Sequence, residues 1–217
     1  MSDGILLGGG GTGYADAQPL LLEYANRHGL IAGTTGTGKT VTLQILAEGF
    51  SSIGIPVFLS DVKGDLSGLA VAGSETFKLH DAFMKRCATI GLDLKYDSFP
   101  VTFWDLFGQQ GHPIRATVAE MGPLLLSRMM ELTDVQEGVL NVAFRVSDEE
   151  GLPLLDLKDL KPLLVWVGQN ATELSLRYGN VAASSVGAIQ RQLLVLENQG
   201  GSALFGEPAL QLSDRMR

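Results

Sequence analysis

Residues Gly33-Thr34-Thr35-Gly36-Thr37-Gly38-Lys39-Thr40 satisfy the pattern G-x-x-x-x-G-K-[ST] at every defined position, and no other feature of the chain restricts its fold as much. Glycines at 36 and 38 allow backbone conformations that a side chain blocks, so successive N–H groups can turn inward around an anion. Such a loop is expected between a strand and a helix, and both flanks fit. Gly29-Leu30-Ile31-Ala32 is a short apolar run suited to a buried strand. From Lys39 the apolar residues Val41, Leu43, Ile45, Leu46 and Phe50 recur at spacings that include three and four, until Gly54 closes the segment. Pro56-Val57-Phe58-Leu59-Ser60 then reads as a second strand. The order strand, loop, helix, strand over residues 29 to 61 predicts a parallel βαβ unit with a right-handed crossover.

The remaining chain is organised around that unit. Ile5-Leu6-Leu7 and Leu20-Leu21-Leu22 flank the glycine-rich turn Gly8 to Gly13 and predict a leading hairpin. Gly8, Gly10 and Gly13 formally spell G-x-G-x-x-G, but no helical pattern follows and Pro19 interrupts, so a dinucleotide role has no support. Residues 75 to 90 read as a helix, Val101-Thr102-Phe103-Trp104 as one more strand, and 113 to about 199 as almost wholly helical. Thr133 and Gln136 have the spacing of a capping box, Ser184 or Ser185 precedes the series Val186, Ile189, Leu193, Leu196, and Gly200-Gly201 stops it.

Length and composition set limits. A chain of 217 residues suffices for one α/β domain with a real core plus a small helical lobe. Its 45% hydrophobic and 18% charged residues place it among globular rather than disordered chains. The longest aliphatic stretches, Leu124 to Leu126 and Leu163 to Val165, fall far short of the roughly 20 residues of a membrane span. The opening Met1-Ser2-Asp3-Gly4 has no secretory signal character. With Cys87 the only cysteine, no internal disulfide forms and a cytoplasmic location is expected; Cys87 itself reads as a small core residue. A net charge of −8 excludes a surface that coats itself in nucleic acid by counterion release alone, while leaving room for a local basic channel.

Gly33 through Thr40 are the expected nucleotide-binding residues. Lys39 supplies a mobile charge between the β- and γ-phosphates of ATP, and the Thr40 hydroxyl is the expected Mg²⁺ ligand. Asp61, at the end of the second predicted strand, has three readings: a Mg²⁺-coordinating carboxylate at a strand's C-terminal end, a crevice residue that shapes the turn Asp61-Val62-Lys63-Gly64-Asp65, or a plain strand-end turn. No later apolar run ends in Asp-Glu, so no general base can be named; Leu163-Leu164-Val165-Trp166-Val167 ends in Gly168-Gln169 within a helical pattern. Glu120, Glu131, Glu137 and Glu173 are expected on solvated helix faces. His28, His80 and His112 stand apart from any metal-ligand spacing, and Ser127, Ser184 and Ser185 lack a nucleophile-elbow context. Arg115, Arg128, Arg145, Arg177 and Arg191 are dispersed, and no one of them is marked as an arginine finger.

The words Ala25-Asn26-Arg27-His28-Gly29-Leu30-Ile31-Ala32-Gly33 running into Thr35 to Thr40, then Pro56-Val57-Phe58 with Asp61 to Asp65, and later Ser185-Val186-Gly187-Ala188-Ile189-Gln190-Arg191, resemble the bacterial HerA-like helicase and ATPase family. They are most similar to its branch of C-terminal-domain proteins related to FtsK-type DNA pumps. The resemblance implies an α/β fold with a P-loop NTPase (RecA-like) parallel sheet core, incomplete here, and a large helical subdomain. It implies ATP and Mg²⁺ as ligands, DNA as a partner, and a homo-oligomer, often a hexameric ring that translocates duplex DNA. The family's Asp-Glu strand and arginine finger would lie past residue 217, so an N-terminal portion of a longer protein is expected. The expected divisions are 1–28 as a lead-in hairpin, 29–104 as the α/β core, 105–200 as the helical subdomain and 201–217 as the start of a further segment. In the RecA-like order another strand lies between the P-loop strand and the Walker B strand, and the strand ending at Asp61 lies on the far side, so direct pairing of residues 57–60 with 29–32 would contradict the resemblance. Two alternatives stay open: a small-molecule phosphotransferase with Asp61 on Mg²⁺ and residues 105–200 as lid, and a nucleotide-switched interaction module.

Overall fold

The computed structural model describes residues 4–93 and 95–214. The chain divides into two compact units, Met1–Val101 and Thr102–Arg217, and is a mixed α/β protein in which helices dominate. Among the described residues no helix is long and apolar enough to cross a membrane.

The first unit opens with strands β1 (Gly4–Gly10) and β2 (Asp16–Leu21), an antiparallel hairpin in which Ile5 faces Leu20 and Gly10 faces Asp16. Helix α1 (Lys39–Ser52) follows the glycine-rich loop, and α2 (His80–Ile90) ends at Gly91 in the left-handed conformation that glycine adopts without cost. Ile5, Ala47, Leu66, Leu69 and Cys87 are buried, which places the small core between the hairpin, α1, α2 and the turn that follows Asp61. Cys87 is the core residue its sequence context indicates.

The sheet departs from expectation. Residues 29–32 and 56–60 form no ladder, either with each other or with any described strand. The expected parallel βαβ unit is therefore absent, and both segments run as coil. The physical reason lies in their surroundings: Leu30 is 90% exposed and Phe58 56%. A parallel strand is stable only when neighbours cover its faces and satisfy its backbone groups.

In the second unit the strand expected at Val101–Trp104 shrinks to β3 (Trp104–Asp105), which pairs in parallel with β4 (His112–Pro113). Among the described residues six α-helices follow: α3 (Val118–Met129), α4 (Asp134–Glu150), α5 (Leu157–Gln169), α6 (Ala171–Tyr178), α7 (Ala183–Asn198) and the short α8 (Gly201–Leu204). Their starts are chemically explicit. Thr117 with Glu120, Thr133 with Gln136 and Asp156 with Asp159 each form reciprocal capping boxes that satisfy the first free N–H groups. The α7 cap differs from expectation, because the helix begins after Ala182 without a side-chain cap and Ser184 and Ser185 lie inside its first turn. Gly122, at φ 70° and ψ 167°, breaks α3 into two pieces, and Pro123 opens the second, where its missing N–H does no harm.

Residues at i, i+3, i+7 and i+10 fill the core of this unit: Leu157, Leu160, Leu164 and Val167 on α5, and Val186, Ile189, Leu193 and Leu196 on α7. Val118, Leu126, Leu140, Leu160, Leu164, Ile189 and Leu193 are fully enclosed. Lys161 of α5 meets Glu197 of α7 at 2.6 Å over this core. Glu149 of α4 gathers Arg145 Nε, the Arg177 guanidinium and the Tyr178 hydroxyl, each at 2.6 Å, and so binds α4 to α6. Leu163 to Val167 are helical, in accord with their spacing.

Candidate nucleotide-binding site

Thr34, Thr35, Gly36 and Thr37 form an exposed loop whose chain direction reverses before α1. Gly36 sits at φ 80° and Gly38 at φ 95°, both in the region that side chains avoid, which is the physical demand behind the two glycines. Gly38 is the residue before the first helical one, and no side chain caps that helix end. The first-turn amides of α1, at Lys39 and Thr40, are thus the positive end of a fourteen-residue helix directly behind the loop.

The loop is closed by hydrogen bonds to one acceptor. The Thr34 carbonyl receives the Thr37 hydroxyl at 2.8 Å, the Lys39 ammonium at 2.7 Å and, more weakly, the Thr37 amide at 3.4 Å. Inside the helix the Thr42 hydroxyl returns to the Gly38 carbonyl at 3.2 Å. The chemistry of the donor set suits a polyphosphate: inward-capable amides, a mobile ammonium and the Thr40 hydroxyl at the first turn.

Asp61 is the organiser of its own turn. Its Oδ1 accepts from the Lys63 and Gly64 amides at 3.1 and 2.9 Å, and its Oδ2 from the Leu66 amide at 2.8 Å. These bonds, that from Leu66 foremost, hold its carboxyl below the usual aspartate range. The Gln44 side-chain amide of α1 donates to the Asp65 carbonyl at 3.1 Å and so ties this turn to the helix behind the glycine-rich loop. Nothing in the sequence marks Gln44 for this task, since a single polar contact between distant segments leaves no periodic or motif signal.

Other singled-out residues fall outside this site. Glu120 closes the α3 capping box, and Glu137 accepts the buried Ser127 hydroxyl at 2.8 Å, so both have structural duties beyond the solvated faces expected of them. His80 shares a 2.7 Å hydrogen bond with the Tyr96 hydroxyl, the His112 ring lies tilted by 55° against Trp104 with centroids 5.8 Å apart, and His28 is exposed. Among the described residues no three His, Cys, Asp or Glu side chains converge as a metal cluster would. Arg115 donates to the Glu207 carbonyl at 2.7 Å, while Arg145 and Arg177 are tied to Glu149.

The sequence profile described as Helicase HerA-like C-terminal matches residues 12–217. This match spans the glycine-rich loop at residues 33–40, the Asp61 turn and the whole helical unit, and the chain belongs to that family. No curated protein and no solved structure matches it. Family membership points to ATPases and helicases rather than to a small-molecule phosphotransferase.

Proposed function

We propose that the chain binds ATP with Mg²⁺ at Gly33 to Thr40 and that this binding serves a HerA-type motor acting on DNA. The observation that carries the reading is the junction of loop and helix: Gly36 and Gly38 in left-handed conformations deliver the chain into an α1 start that no side chain caps. The full loop, Gly33, Thr34, Thr35, Gly36, Thr37, Gly38, Lys39 and Thr40, contributes backbone amides and side-chain donors to the phosphates. Lys39 would place its ammonium on the β- and γ-phosphates, and Thr40 would lend its hydroxyl to Mg²⁺. The bound nucleotide supplies the free energy of phosphoanhydride cleavage; the residues of this chain bind and orient it.

A RecA-like core is the fold that we propose to accompany this function. Assembly into a ring around duplex DNA is the corresponding quaternary proposal, and it accords with a net charge of −8 only if basic groups are gathered along a channel. Titration calorimetry with ATP and Mg²⁺ tests the site. Wild type should bind and Lys39→Ala should not; equal heats from both would refute it.

A further inference from the structure

We infer that Thr37 is the positioning residue of the phosphate loop, acting through its hydroxyl on the Thr34 carbonyl; the inference rests on the nucleotide-binding reading above. A carbonyl oxygen offers two lone pairs, and at Thr34 they meet two short donors, Thr37 Oγ1 at 2.8 Å and Lys39 Nζ at 2.7 Å. The remaining contact, from the Thr37 amide at 3.4 Å, is too long to hold the turn by itself. The hydroxyl therefore closes the loop independently of Lys39. Without it, Lys39 becomes the chief clasp, and moving its ammonium toward a phosphate opens the loop that must cradle that phosphate. With it, Lys39 is released for the ligand while the loop keeps its shape.

Gly33 belongs to the same device. Its φ lies outside the left-handed region, so the backbone there does not demand glycine. A Cβ at Gly33 would instead lie 2.5 Å from Thr37 Oγ1, whereas the next nearest atoms, Lys39 Cγ and Thr37 Cβ, stand at an ordinary 3.6 Å. Glycine at 33 makes room for the hydroxyl at 37, and a methyl group in that place expels it.

The test is calorimetric titration of the full chain with Mg-ADP and Mg-ATP, alongside thermal melting without nucleotide. Thr37→Ala should weaken both ligands about fivefold to tenfold, the effect of one hydrogen bond, with the nucleotide-free melting midpoint unmoved. Thr37→Ser, which keeps the hydroxyl, should recover most of the lost affinity. Gly33→Ala should weaken binding to a similar degree, and Gly33→Ala combined with Thr37→Ala should be no weaker than either alone, because the two changes remove the same bond. Wild-type affinity in Thr37→Ala, failure of Thr37→Ser to recover, or additive losses in the pair would overturn the inference. Absence of nucleotide binding by the wild type would overturn the phosphate-site reading itself, and this role of Thr37 with it.

Discussion

Ile5 of the leading hairpin lies directly on the backbone of Gly49 in α1: a Cβ at Gly49 would stand 2.6 Å from Ile5 Cγ2. The helix that follows the glycine-rich loop is seated on the hairpin by this close approach. Gly49→Ala should therefore overpack the interface and destabilise the first unit by ~1–3 kcal/mol, even though alanine is the better helix former. Denaturant unfolding followed by far-UV dichroism checks it, and because Ile5→Ala removes all three atoms that the new methyl would meet, the double variant should lose less than the two single losses summed.

Thr40, rather than Asp61, should carry the Mg²⁺ dependence of ATP binding. Both oxygens of Asp61 already receive backbone amides, whereas Thr40 stands in the first turn of α1. Thr40→Ala should cut the ratio of affinities with and without Mg²⁺ roughly tenfold, about the 1.4 kcal/mol of a charge-assisted contact. Asp61→Asn should leave that ratio near wild type while loosening the turn at 61–66, seen as faster amide exchange at Gly64 and Leu66. The opposite pattern would return Asp61 to the metal.

The pH dependence of the helical unit should turn on Glu149 and Tyr178. The Tyr178 hydroxyl first, then Arg145 and Arg177, hold the Glu149 carboxyl below the ordinary glutamate range. Its stabilising effect is thus complete above that range, about pH 4.3, and is lost as pH falls toward the depressed value. The Tyr178 hydroxyl is pushed up, chiefly by the same hydrogen bond, so its contribution is complete below about pH 10 and fades as pH rises through the elevated value. Melting midpoints across pH should show both limbs in wild type. Tyr178→Phe should remove the alkaline limb and shrink the acid one, and Glu149→Gln should flatten both.

Asp156 caps α5 by accepting from the Lys158 and Asp159 amides at 2.6 and 3.2 Å. Asp156→Ala should cost ~1 kcal/mol of stability, and Asp156→Ser should cost less. The measurement is equilibrium unfolding, with local exchange at Lys158 and Asp159 as the residue-level readout.

The parts of this chain legible in its sequence are those governed by local rules. The hairpin of residues 4–21, the extent of α1 from Lys39, the capping box at Thr133 and the burial of Cys87 follow from turn chemistry, helical period and side-chain size acting over a few residues. Residues 29–32 and 56–60 are legible in the sequence only as apolar runs. Whether such a run joins a sheet depends on partners remote in sequence, and here none of the described strands pairs with it. At the candidate site the glycine positions could be read from the motif, because positive φ has a sequence signature. The Thr37 hydroxyl on the Thr34 carbonyl, the Gln44 tether to Asp65 and the reach of Glu149 to α6 could not, since each is a contact that many residue types could make from the same backbone. Ser184 and Ser185 show the limit of cap signals: α7 starts one residue before them, at Ala183, and buries its hydrophobic stripe without their help.

The coil at Pro56–Ser60 has a practical corollary. Val57 and Phe58 stand 41% and 56% exposed on backbone that engages no described strand, in an uncharged stretch of high β-propensity. Such a stretch invites intermolecular sheet growth when the protein is concentrated or warmed. Pro56 on one side and Asp61 on the other act as brakes on that growth, one by lacking a donor and the other by its charge. Replacing either with an apolar residue should show first as turbidity rather than as a change in any binding constant.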